Sequence, residues 1–201
     1  MTPRLGTRSV MALLPAALLL VPTAAQAEKV VTEDAAGDTV VVGFVADDDA
    51  ELPPPPDPSP ADIIRTVGAH GENRLAVTVH FSELAGVREH STRLLVRTGA
   101  GEFHLQVRAK EGRRTATELV GPEGAIDCRA LRARLDRSED LLAVSVPTTC
   151  LSSPRWVELG VMAFSPLPMS DPAVLASAVD DGHRETVSPR RAATGPRIRR
   201  G

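Results

Sequence analysis

Tyrosine is absent from this sequence, tryptophan occurs once (Trp156), and phenylalanine occurs only at Phe44, Phe81, Phe103 and Phe164. Polysaccharide-binding surfaces commonly present aromatic rings on which sugar faces pack. Phe81, Phe103 and Phe164 fall at patterned apolar positions and read as core, so an aromatic sugar platform is not expected. Any glycan would be held by polar loops instead. Lysine is confined to Lys29 and Lys110, which leaves arginine to supply almost all the positive charge. No C-x-x-C pair lowers a thiol pKa, no G-x-S-x-G elbow presents a serine, and no EF-hand loop is present. No internal repeat recurs at a fixed period. The one long apolar run, residues 10–21, is interrupted by Pro15 and is short for a membrane span of about 20 residues.

That run has a different meaning. Arg4 and Arg8 precede it and Ala25-Gln26-Ala27 follows it, the layout of a secretory leader with an A-x-A cleavage site. Residues 1–27 are therefore expected to be a signal peptide. No twin-arginine pair precedes the run and no cysteine follows the cleavage site, so the mature chain is expected to be secreted by the general route and released. No span is expected in it. Removal of the leader takes away Arg4 and Arg8 and no acid, leaving 21 basic against 26 acidic residues and a net charge of −5. That balance argues against a nucleic-acid partner.

Two cysteines in an exported chain predict one disulfide, Cys128–Cys150. The loop it closes is worth roughly 3 kcal/mol by the chain-entropy argument. Both cysteines belong to the best-patterned part of the chain. Leu131, Ala133 and Leu135 alternate with Arg132, Arg134 and Asp136, then Leu142, Val144 and Val146 repeat the alternation up to Pro147. Residues 156–164 are apolar on both faces, as in a strand buried between layers. Trp156 is expected to cover the disulfide, as tryptophans in sandwiches do.

Upstream, residues 28–31 read as a short edge strand and residues 39–45 as a β-branched strand. Between them lies the acidic turn Glu33-Asp34-Ala35-Ala36-Gly37-Asp38. Asp47, Asp48 and Asp49 lead into a proline-rich stretch, residues 52–60, which is expected to be an extended surface loop. Residues 62–67 resume as strand and residues 68–73 turn. Residues 74–84 alternate cleanly, and residues 94–97 and 103–108 form a hairpin about Gly99-Ala100-Gly101. Residues 115–120 add one more strand.

Short strands parted by turns, with no convincing helix among them, predict an all-β fold, an antiparallel β-sandwich of about nine or ten strands over residues 28–165. Residues 166–201 are expected to form a mostly disordered tail. Within it Asp171-Pro172 would cap a short helix running to Asp180, and the arginine-rich end from His183 would not pack. On that reading, deleting residues 183–201 leaves the melting curve unchanged.

With the strands placed, the segments D-A-A-G-D-T-V, A-D-I-I-R-T-V-G-A-H and N-R-L-A-V-T-V-H-F-S-E-L resemble a group of small exported actinobacterial proteins of unknown function. The run from Val146 to Val157, V-P-T-T-C-L-S-S-P-R-W-V, is similar to that group as well. The opening segment also bears a faint resemblance to calcium-containing sandwich modules of the DOMON and family-nine carbohydrate-binding type.

The sharpest chemical feature is acidic. Residues 28–62 hold ten acids and one lysine. Asp34 and Asp38 stand four apart across a turn, and Asp62 opens a strand that would face them. A hard cation takes six to eight oxygens, mostly carboxylates and loop carbonyls, so Asp34, Asp38 and Asp62 are the candidate calcium ligands. His70, His80 and His90 fall ten apart, but His70 and His90 read as loop residues, and zinc needs three or four ligands converging at about 2 Å. A surface pair of His80 and His104 is the only histidine arrangement the pattern allows. These features point to an exported, monomeric, non-enzymatic binding or interaction module with no organic cofactor, calcium-assisted through its acidic loops. Its expected partner is a protein or a cell-envelope polymer. The alternative is a small extracellular hydrolase, which requires a concave site with paired titratable groups. A structural envelope protein would bind no specific small ligand.

Overall fold

The computed structural model describes residues 27–44, 52–169, 175–184, 187–188 and 192–201. Residues 1–26, which hold most of the expected leader, and the Asp47, Asp48 and Asp49 cluster lie outside the described residues.

Thirteen strands occur among the described residues. They are β1 (Glu28–Glu33), β2 (Val40–Phe44), β3 (Ile63–His70), β4 (Arg74–Phe81), β5 (Glu89–Thr98), β6 (Gly101–Lys110) and β7 (Ala116–Gly121). They continue with β8 (Gly124–Ala125), β9 (Arg132–Asp136), β10 (Leu141–Pro147), β11 (Trp156–Leu167), β12 (Leu175–Asp181) and β13 (Arg197–Arg199). All pairings are antiparallel. One sheet runs β1-β3-β4-β10-β9. The other runs β2-β12-β11-β5-β6-β7-β8, with β13 pairing the edge of β11 that β12 leaves open. The sandwich expected from the alternation is the fold observed.

The inward rows make one core. Leu75, Val77, Val79 and Phe81 of β4 and Leu142, Val144 and Val146 of β10 meet Leu94 and Val96 of β5, Phe103 and Leu105 of β6, and Val157, Leu159 and Val161 of β11. Each such side chain contributes on the order of 1.5–3 kcal/mol when removed from water. The proline-rich stretch links the two sheets, since β2 belongs to one and β3 to the other. The disulfide Cys128–Cys150 forms, with 5.9 Å between Cα atoms, and ties the loop before β9 to the 3-10 turn Thr148–Leu151 after β10. Both sulfurs' residues pack against the core.

The C-terminal part differs most from expectation. β11 does not stop at Ser165. Where a helix was expected up to Asp180, Leu175-Ala176-Ser177-Ala178-Val179 is strand β12, because β11 and β2 pair with it on both edges. The arginine-rich end is not wholly a free tail either. Ile198 of β13 is 2% exposed and belongs to the core, while Arg197 and Arg199 point outward. Gly68 in the middle of β3 makes room for it. A Cβ there would lie 2.5 Å from Ile198 Cδ1 and 2.6 Å from Leu159 Cδ1.

Trp156 does not cover the disulfide. It alternates with core-facing Val157 and so stands on the outer side of β11, with the Arg197 guanidinium 4.1 Å from its ring centroid. Phe164 is likewise outside the core, with Arg93 4.5 Å from its centroid.

Candidate metal centre

The acidic turn between β1 and β2 is held by Asp62. Gly37, at φ 84°, donates its N–H to both Asp62 carboxylate oxygens at 3.1 Å. A positive φ of this kind favours glycine. The Asp34 N–H donates to the Ile64 carbonyl at 3.1 Å, and the Asp62 N–H donates to Ser59. The turn is thus pinned to the start of β3 by backbone and carboxylate together. Asp62 is buried beneath the turn as its support.

The pinned turn brings Asp34 and Asp38 to the end of β12. Val40 pairs with Val179, so the next step of the ladder sets Thr39 beside Asp180 on one face. Asp180 is fully buried. Its Oδ2 accepts from the Ile63 N–H at 2.7 Å and its Oδ1 from the Asp181 N–H at 2.6 Å. One oxygen from each of Asp34, Asp38 and Asp180 lies within 4.8 Å of the others. Two oxygens on one calcium ion at 2.3–2.6 Å are at most about 5 Å apart, so the spacing suits a shared ion.

Electrostatics describe the same spot. Burial, then the neighbouring Asp38 charge, pushes the Asp34 carboxyl up to about 7. Burial likewise pushes Asp180 up to about 7, against the opposing Ile63 hydrogen bond, with Asp38 and Asp34 adding to the rise. Asp181 is also raised, chiefly by burial. A carboxylate raised in the folded state costs stability as pH climbs from its ordinary value through the raised one, so these groups oppose folding at neutral pH. Asp34 Oδ2, Thr39 Oγ1 and Asp181 Oδ1 are buried without a hydrogen-bond partner among the described residues. Arg184 Nε lies 4.0 Å from Asp181 Oδ2. A divalent cation would relieve the repulsion and use the oxygens.

Of the three expected ligands, the structure brings Asp34 and Asp38 together and sets Asp62 behind them. Asp180 takes the third place. The sequence reading missed it because it ended a supposed helix. No periodic signal marked it, since Leu175-Ala176-Ser177-Ala178-Val179 fits helix and strand alike.

The histidines form no ligand set. His80 is on the outer face of the smaller sheet, its Nε2 3.3 Å from Arg65, whereas His104 is on the outer face of the larger one, so the surface pair does not form. His70 and His90 are strand residues and fully buried. His70 Nδ1 lies 3.3 Å from the Ile198 carbonyl. His90 Nε2 lies 3.0 Å from the Thr92 hydroxyl, and its ring meets Phe81 edge-on at 4.8 Å. Burial, reinforced by Arg137, holds the His90 imidazole down to about 4. A depressed histidine stabilises the fold fully above its ordinary value of 6.5, and that contribution, about 3 kcal/mol, is lost as pH falls toward 4. In an NMR titration the His90 imidazole should remain neutral at pH 5.5; protonation near 6.5 would show that the ring is not sealed in the core.

The sequence matches no family model, no curated protein and no solved structure.

Proposed function

We propose that this chain is an exported, non-enzymatic binding module whose loops at one end of the sandwich are organised by calcium. The observation that carries the reading is the convergence of Asp34, Asp38 and Asp180 within 4.8 Å, on a turn that Asp62 holds in place. Asp34, Asp38 and Asp180 supply the ion's carboxylate oxygens, and the ion joins the β1–β2 turn to the end of β12. Export is supported by the leader-like pattern of residues 1–27 and by the disulfide. A partner protein or envelope polymer would meet the loops that the ion fixes.

A small hydrolase is the second reading, favoured by one buried and one half-buried carboxyl, Asp180 and Asp34, pushed up to about 7, as in acid–base pairs. Both Asp180 oxygens are already taken by backbone N–H donors, which suits a fixed ligand better than a proton shuttle.

The test is calorimetric titration of the mature chain, residues 28–201, with calcium. One site per chain is expected, with magnesium at least tenfold weaker, because magnesium resists the irregular coordination calcium accepts. Asp180→Asn should abolish the binding heat. In EDTA the same variant should still fold: it removes a buried charge but gives up one of the two backbone N–H bonds, because the Asn amide nitrogen cannot accept. Calcium binding that survives Asp180→Asn would place the ion elsewhere.

A further inference from the structure

We propose that the outer face of the larger sheet holds a second site, a trough that takes a small amphipathic carboxylate. It shares no residue with the carboxylate group of the metal centre.

The strand register builds the trough. Gly160, Leu95, His104 and Val120 stand side by side across β11, β5, β6 and β7, and Met162, Arg93, Gln106 and Glu118 form the next row. Both rows point away from the inter-sheet core, yet Leu95 is 4% and Met162 3% exposed. The returning C-terminal segment accounts for part of this. A Cβ on Gly160 would collide with Ala192 and with the Ala193 carbonyl, so the segment passes directly over that glycine. Between Ala192 and β7 remains a cavity of about 290 Å³, floored by Leu95, Val120 and Met162. At about 30 Å³ per water that is room for on the order of ten waters, the scale of a short chain or a single ring. Apolar floors with a few polar groups are the usual make-up of small-ligand sites.

The rim fixes the sign of the ligand. Glu118, the lining acid, is 3.9 Å from Arg108, which also donates to Gln106 Oε1 at 2.6 Å. Arg97, in the flanking row, is paired with Glu102 and Glu158. Arg93 has no carboxylate within ion-pair distance among the described residues. Arg93 lines the cavity, its guanidinium rests on the Phe164 ring, and its N–H fork matches a carboxylate. His104 lines the same cavity with no hydrogen bond from its ring among the described residues. The uncompensated charge at the trough is positive, above an apolar floor.

The mature chain carries two methionines, Met162 and Met169, which makes methyl-labelled methionine NMR specific to the site. The probes are octanoate, octyltrimethylammonium and octyl glucoside, which share a tail and differ in head group, each kept below its micelle concentration. Octanoate should shift the Met162 methyl saturably and leave Met169 in place. The cationic and neutral probes should bind at least tenfold more weakly. Arg93→Gln, cross-strand from Met162, should weaken octanoate about tenfold, read as the saturation of the Met162 shift from the variant's own ligand-free position. An unmoved Met162, equal responses to the three heads, or parallel unsaturating shifts at both methionines would overturn the proposal.

Discussion

Ile198→Ala is expected to lower the unfolding free energy by about 2–5 kcal/mol, the range for truncating a buried isoleucine. The substitution falls three residues from the C-terminus, where a loss of that size is seldom looked for. Ile198 is inserted between the sheets over Gly68 and Leu159, and the chain around it is fastened to both. β13 pairs with β11 in the larger sheet, while the Ile198 carbonyl meets His70 and the Gly201 N–H donates to the His70 carbonyl in the smaller. The Arg199 N–H donates to the Glu28 carboxylate and the Arg200 N–H to the Arg155 carbonyl. The segment is a clasp between the sheets and next to the first strand. Urea denaturation measures the effect. Arg197→Ala, which removes only the exposed guanidinium on Trp156 and its pairing with Glu158, should cost less than about 1 kcal/mol. Equal losses from the two variants would show that the core contact of Ile198 is not what holds the clasp.

Replacing Cys128 and Cys150 together by alanine should cost about 2–5 kcal/mol. The bridge spans 22 residues and encloses β9 and β10, so its loss frees a long loop in the unfolded chain. It also takes two partly buried sulfurs away from the core. Melting the wild type with and without reductant should reproduce most of the difference. An unchanged midpoint in both experiments would remove the disulfide from the account of stability.

Where the sequence alternates over five or more residues, the strand and its inward face were readable, as along Arg74–Phe81 and Leu141–Pro147. The disulfide followed from having two cysteines in a chain whose first residues read as an export leader. β13 could not be read this way. Three residues with a single apolar one carry no periodicity, and arginines on both sides look like a solvated terminus. β12 was hidden by alanines and serine, which fit helix and strand equally, and by the helix-start signal of Asp171-Pro172. The acidic cluster was half legible for the same reason. Asp34 and Asp38 belong to one turn and are visible together, whereas Asp180 reaches them only through the pairing of β2 with β12, a contact between residues 139 positions apart for Val40 and Val179. Asp62 was correctly placed near the turn, but spacing alone does not tell a ligand from the residue that holds the turn.

The measurement closest to the central claim is a thermal melt of the mature chain in EDTA and then in calcium at about 100 times the dissociation constant found by titration. Binding to the folded state alone adds about 2.7 kcal/mol under those conditions, a rise of about 5–10 °C for a domain of this size. The account predicts that rise with calcium, a much smaller one with equal magnesium, and none in Asp180→Asn. Superimposable curves for the wild type in EDTA and calcium would contradict it and leave Asp34, Asp38 and Asp180 as a partly buried acidic cluster without an ion.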